Sequence, residues 1–202
     1  MNAPDPAAKR GYRMSARATS AERTRDRIAD AMLDRFAVTP YEHIRLDDVA
    51  ADAGVTVQTV IRRFGGKAGL LLAVVERELG RIADARETVE GESVDTTLAA
   101  LVQHYERYGD LILKTYSESP LVPGLPELAA AGRAYHVGWC RRVFADRLDP
   151  GLDDAARIRR LAQIVVICDA TTWRILRDDG PLDAEECRRA LHELLTPVFA
   201  PA

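Results

Sequence analysis

One short stretch, Leu46 to Phe64, constrains this chain more than any other. Leu46, Val49, Ala50 and Ala53 recur at helical spacing and give a short helix one apolar face. Gly54 follows, where a tight turn can use positive φ without a Cβ clash. Thr56 is a good N-cap for a next helix over Val57–Phe64, anchored through Val60 and Phe64, and Gly65-Gly66 ends it. Two short helices joined by a glycine turn have helix-turn-helix geometry, in which the second helix lies in the DNA major groove. The side chains turned away from the anchor suit that use. Gln58 can pair bidentately with adenine, and Arg62 or Arg63 with guanine. The Thr56 and Thr59 hydroxyls, with backbone N–H groups at the helix start near Val57, can hold phosphates. Arg45 and Lys67 flank the stretch, and Lys67 is placed for a backbone phosphate. Spacing alone leaves DNA binding open, because helix–Gly–helix pairs occur in many bundles.

Charge leans the same way. The whole chain has net charge −3. Up to Lys67, however, twelve Lys/Arg stand against nine Asp/Glu, a net of +3, which leaves −6 for the remainder. A basic head on an acidic body fits a polyanion partner.

The rest of the 202-residue chain reads as helix throughout, so the fold class is all-α. Residues 1–18 read as a flexible basic tail, of which Lys9, Arg10, Arg13 and Arg17 could serve as a DNA-contacting arm, though a free solvated tail is preferred. A first helix is expected near Thr19, with Thr19 and Glu22 as a capping box, and Ile28, Ala31, Met32 and Phe36 as its apolar stripe up to the Pro40 stop. A fourth helix is expected from Lys67 to about Glu87. After a break at Gly91, a fifth carries Leu98, Leu101, Val102, Tyr105, Tyr108 and Ile112. Beyond Pro120, Pro123 and Pro126, a short helix over Leu125–Ala131 is expected to lead into a longer one. Asp153 then caps a helix reaching Arg177, and Asp183 with Glu186 opens the last one, which Pro197 should kink or end. Ile164 to Cys168 is apolar on every side of its helix, so more than one face must be covered: one can meet its own core and another a partner subunit, the alternative being a central helix in a monomer.

Over Ile28 to Leu72 the chain resembles the TetR family of bacterial regulators. That family shows an Ile-x-x-Ala-Ala-x-x-x-Phe helix, an aromatic after a turn, an Ile/Val-Ala-x-x-Ala-Gly-Val-Ser helix-turn, an x-x-Thr-Leu-Tyr-x-x-Phe recognition helix and a Lys before Leu-Leu. Here the positions are Ile28, Ala31, Met32, Phe36, Tyr41, Val49, Ala50, Ala53, Gly54, Val55, Thr56, Thr59, Val60, Ile61, Phe64, Lys67, Leu70 and Leu71. Ile61 stands where the family has a phosphate-contacting Tyr, Arg35 where it has a core Leu, and Arg45 where it has a Thr cap. Arg63 stands where His or Tyr is frequent. The resemblance implies a DNA-binding domain over 19–82, its helix-turn-helix at about 45–64, and a ligand-binding and dimerisation domain over 83–202. It further implies a homodimer on an inverted-repeat double-stranded operator, repressing until a small-molecule effector releases it.

Candidates to line the effector site combine aromatic bodies with polar tips: Tyr105, Tyr108, Tyr116, His136, Trp139 and Trp173. An aromatic stripe at such spacing is more often plain core. Cys140, Cys168 and Cys187 form no CxxC pair, and no metal cluster, cofactor motif or catalytic constellation is recognisable; Gly65-Gly66-Lys67 lacks the spacing of a phosphate loop. A cytoplasmic protein without membrane spans is expected, and an enzyme is not. The rival class is a helical adaptor or small-ligand-binding protein without operator-specific DNA binding.

Overall fold

Residues 6–18 begin with Pro, which suits the first helical position, and continue with the strong helix formers Ala, Lys and Arg. In the computed structural model the first helix, α1, accordingly spans Pro6–Val38 and does not wait for Thr19. Thr19 and Glu22 therefore sit inside a helix and not at a cap. The structure describes the backbone of residues 6–87 and 91–201 and the side chains of 19–87 and 91–201. The side chains of Lys9, Arg10, Arg13 and Arg17, the proposed arm, lie outside the described residues.

The remaining helices are α2 Leu46–Asp52, α3 Val57–Phe64, α4 Lys67–Glu87, α5 Val94–Glu118, α6 Leu125–Phe144, α7 Asp154–Ile167, α8 Ala170–Arg174 and α9 Ala184–Phe199. Among the described residues there is no strand, and no helix is long and apolar enough to cross a membrane. The chain divides within α4 into two compact units, one ending at Val75 and one beginning at Glu76.

In the first unit, α2 packs on α1 and α3. Ile28, Met32, Phe36, Val49, Val60, Leu70, Leu71 and Val74 are fully buried. Phe64, expected as a second buried anchor of α3, is only half-buried and carries the Arg25 guanidinium 5.5 Å from its ring centroid. Arg35, at the position where a core Leu was the family habit, instead reaches α2 and binds Asp52 at 2.6 Å. That hydrogen bond holds the Asp52 carboxyl below its usual range.

The second unit is built on α5, which packs against α6, α8 and α9. Leu98, Leu101, Trp139, Phe144, Ile164, Leu191 and Leu195 form its buried core. Four helix starts are fixed by side-chain caps: Ser93 accepts from the Thr96 N–H, Asp153 from Ala156, Asp169 from Thr171 and Asp183 from Glu186. The prolines at 120, 123 and 126 do not interrupt a helix twice; α6 is one helix from Leu125, with Pro126 in its first turn. The helix expected to reach Arg177 stops at Ile167. Asp169 turns out of it and caps α8 through the Thr171 N–H at 2.8 Å, and a π-turn over Ile175–Asp179 follows. Pro197 lies in the last turn of α9, where it forgoes the N–H bond to the Glu193 carbonyl, and the helix ends two residues later at Phe199.

At Gly109 the α5 backbone and the Trp173 ring come close together. A Cβ there would lie 2.3 Å from the Trp173 ring, which is 7% exposed. Replacing a mid-helix Gly by Ala normally gains up to about 1 kcal/mol of helix propensity, whereas overpacking costs about 1–3 kcal/mol. Gly109→Ala is therefore expected to be a net loss of about 1 kcal/mol in urea unfolding, with the Trp173 fluorescence maximum displaced.

Candidate nucleic-acid interface and ligand cleft

The α2–α3 corner is fixed by local chemistry. Gly54 has φ of 63°, and the turn closes through Val55 N–H to Ala50 O at 2.9 Å. Thr56 is the α3 N-cap, its hydroxyl accepting from the Thr59 N–H at 3.3 Å and lying 3.0 Å from the Thr59 hydroxyl. Gly65, at φ 77°, ends the helix by donating to Ile61 O. Fully buried Val60 holds the inner face. Outward point Gln58, Ile61, Arg62 and Arg63, all exposed, with Val57 and Thr59 half-buried and Thr56 exposed beside them. Arg63 donates to the Ala21 carbonyl of α1 at 3.1 Å, so part of its fork is tied to the fold. Arg45 is exposed, 3.8 Å from Asp47, and does not cap α2. Six of the eight residues expected at DNA thus lie on α3 or at its N-cap, and Arg45 stands at the start of α2.

Lys67 is the exception. Its ammonium donates to the carbonyls of Tyr41 (2.9 Å), Ile44 (3.0 Å) and Glu42 (3.3 Å) and stands 4.3 Å from the Tyr41 ring centroid. An ammonium has three donors, and all three are occupied. The placing of Lys67 at a phosphate gives way to an internal role: it ties the start of α4 to the turn before α2.

In the second unit, a cleft of about 590 Å³ opens among α4, α5 and α6, lined by Arg86, Leu101, His104, Glu106, Arg107, Tyr108 and Trp139, among others. Of the six aromatic candidates, Tyr108 and Trp139 line it. Tyr105 and His136 stand behind Arg86: Nη2 donates to the Tyr105 hydroxyl (3.1 Å), and Nη1 lies 3.2 Å from His136 Nδ1. The Tyr105 hydroxyl in turn donates a hydrogen bond to Cys168 O at 2.7 Å, and burial pushes its pKa up. Trp173 packs on α5 and donates to Glu106, and Tyr116 lies under Arg133; neither lines the cleft.

Arg86 and His104 were missed by sequence reasoning. Both lie on apolar helical stripes, Arg86 four residues after Ile82 and His104 three after Leu101. A polar residue on such a stripe is the signal that would have found them. Burial, with Arg86 and His136 nearby, depresses the His104 pKa to about 3, so the ring is neutral. Cys140, Cys168 and Cys187 are buried free thiols.

Residues 28–74 match the family described as "Bacterial regulatory proteins, tetR family". The HTH-type transcriptional repressor LfrR of Mycolicibacterium smegmatis is 31% identical over 154 residues, covering 66% of this chain and 80% of that protein. A transcriptional regulator from Rhodococcus sp. Rha1 shares the fold at a TM-score of 0.69 and 17% identity, covering 87% of this chain and 95% of that one. The regulator FadR from Bacillus subtilis, solved with stearoyl-CoA, does so at 0.65 and 18%, covering 84% and 96%.

Proposed function

The chain belongs to the TetR family of bacterial regulatory proteins, and from that premise we propose that it is a homodimeric repressor whose α3 docks in the major groove of an inverted-repeat operator until a small molecule bound in the α4–α5–α6 cleft releases it. The observation that carries the DNA reading is the outer surface of α3. Gln58 and Arg62 are exposed with no hydrogen-bond or ion-pair partner among the described residues, on a helix whose N-terminus is capped by Thr56 and whose base is anchored by Val60. In this reading Gln58, Arg62 and Arg63 touch bases, while Arg45, Thr56, Val57 and Thr59 position the backbone. The first unit is the DNA-binding domain and the second, which holds the cleft, the effector and dimerisation domain, acting in the cytoplasm where the operator is. The relative named as a repressor supports the sign of regulation.

Gln58→Ala should lose about 1–2 kcal/mol of operator affinity and relax preference at one base position without altering the fold. Fluorescence anisotropy against a set of singly substituted operators measures this; an unchanged preference would place another residue at that base.

Dimerisation is supported by the apolar side chains that the second unit leaves uncovered. Ile158 and Val166 on α7 are 68% and 64% exposed, and Leu194 on α9 is 45% exposed. Ile164 and Cys168 on the same apolar run are fully buried. One side of that helix meets its own core, and the other is left for a second copy. Val166→Asp should shift the protein to monomer in sedimentation velocity and, with only one half-site bound at a time, weaken operator binding by at least tenfold. A wild-type monomer would refute the dimer.

A further inference from the structure

The cleft carries information about the charge of what it binds. Arg86 is 5% exposed, yet among the described residues no carboxylate pairs with it. Its Nη atoms meet His136 and Tyr105, neither of which is a carboxylate, and its Nε has no hydrogen-bond partner. His104 is 8% exposed, and neither ring nitrogen has a partner. Both residues line the same cleft. Burying a cation without a counterion is costly, and so is burying an unsatisfied imidazole. Such groups concentrate where a ligand uses them.

The other charges around the cleft do not supply the missing anion. Glu106 also lines it, but both its oxygens take hydrogen bonds from Arg177, at 2.7 and 3.1 Å, and Oε1 takes the Trp173 indole as well. Arg107 adds a second cation, its guanidinium 5.1 Å from the Tyr108 ring centroid. Leu101 and Trp139 supply apolar wall. A cationic ligand would meet two guanidinium groups, and a neutral one would leave Arg86 uncompensated.

Resting on the reading of this cleft as the effector site, we propose that the effector is an organic anion, a carboxylate on an apolar body, its head group paired with Arg86 and hydrogen-bonded by His104, its body laid along Leu101 and Trp139. A carboxylate offers acceptors to both the guanidinium and the neutral imidazole N–H, and neither of those groups can be satisfied by hydrocarbon. The roughly 590 Å³ of space suits a molecule of that size class.

Matched acids and amides test this on the full-length protein. Isothermal titration with 2-naphthoate against 2-naphthamide, and decanoate against decanamide, should show at least one acid binding tenfold or more tighter than its amide. Arg86→Met and His104→Phe should each erase most of that advantage; His104→Phe decides if Arg86→Met folds poorly. Ala100 also lines the cleft, and Ala100→Trp, which fills it, should abolish binding of acid and amide alike. Equal binding of acids and amides, or an advantage that survives both cleft variants, overturns the anionic class while leaving the cleft an effector site. Binding that survives Ala100→Trp, or no binding by any of the four probes, overturns the cleft reading together with the proposal.

Discussion

Replacing Lys67 with methionine is expected to destabilise the first unit by about 3 kcal/mol and to leave the salt dependence of DNA binding unchanged. The magnitude follows from three charge-assisted hydrogen bonds from Nζ to the carbonyls of Tyr41, Glu42 and Ile44, together with a cation–ring contact to Tyr41. Individually such bonds contribute about 1.5–3 kcal/mol, but the group is half-buried and water can replace part of what is lost. Methionine keeps most of the apolar stem and supplies no donor. A phosphate-contacting Lys67 would behave otherwise: its removal would lower the slope of log K against log salt by about one unit and leave stability nearly intact. Urea unfolding beside anisotropy titrations at two salt concentrations separates the two accounts.

Acid should destabilise the second unit through His104 by about 3 kcal/mol between pH 7.5 and pH 4. The ring is buried, faces the Arg86 guanidinium and His136, and packs against Tyr105 and Tyr108 at centroid distances of 5.3 and 5.2 Å. Its pKa is held at about 3 in the folded state against the ordinary value of 6.5. Because the folded value is the lower one, the unfolded chain binds the proton first as pH falls below 6.5, and stability declines until the folded ring also protonates near 3. At about 1.36 kcal/mol per pH unit, the loss reaches about 3 kcal/mol at pH 4. Carboxylates and other histidines titrate in the same window, so the informative quantity is the difference from His104→Phe, which lacks this component. Parallel pH–stability curves for the two proteins would mean that His104 is solvated.

The fold was most legible where structure depends on neighbours in sequence. Thr56 capping α3, Gly54 and Gly65 at positive φ, and Asp153 and Asp183 as caps all act within a few residues, and the bounds of α3 and α4 follow from them. Two local signals were outweighed in the reading by stronger ones. The apolar run Ile164–Cys168 hid the cap at Asp169, and Thr19–Glu22 looked like a helix start although Pro6 begins a helix equally well. What sequence did not convey is pairing across distance. Lys67 looks like any basic residue at a helix start until the carbonyls from residues 41–44 are brought beneath it. Arg35 looks like a misplaced core residue until Asp52 on α2 comes within 2.6 Å. Arg86 and His104 stand on apolar stripes of separate helices, and only the packing of α4, α5 and α6 buries them at one cleft. The aromatic residues stand out in the sequence as ligand-site candidates, while the polar groups best suited to orient a ligand are His104 beside them on α5 and Arg86 on α4.

Footprinting on DNA from upstream of the protein's own coding region tests the central claim most directly. A dimer presenting two copies of α3 should protect an inverted repeat whose half-site centres lie about one helical turn apart, roughly 10 base pairs, and an Arg62→Ala, Gln58→Ala double variant should lose that protection while keeping its fold. Protection of a single asymmetric half-site, or binding that the double variant retains in full, would contradict the account of α3 as the reading helix of a symmetric regulator.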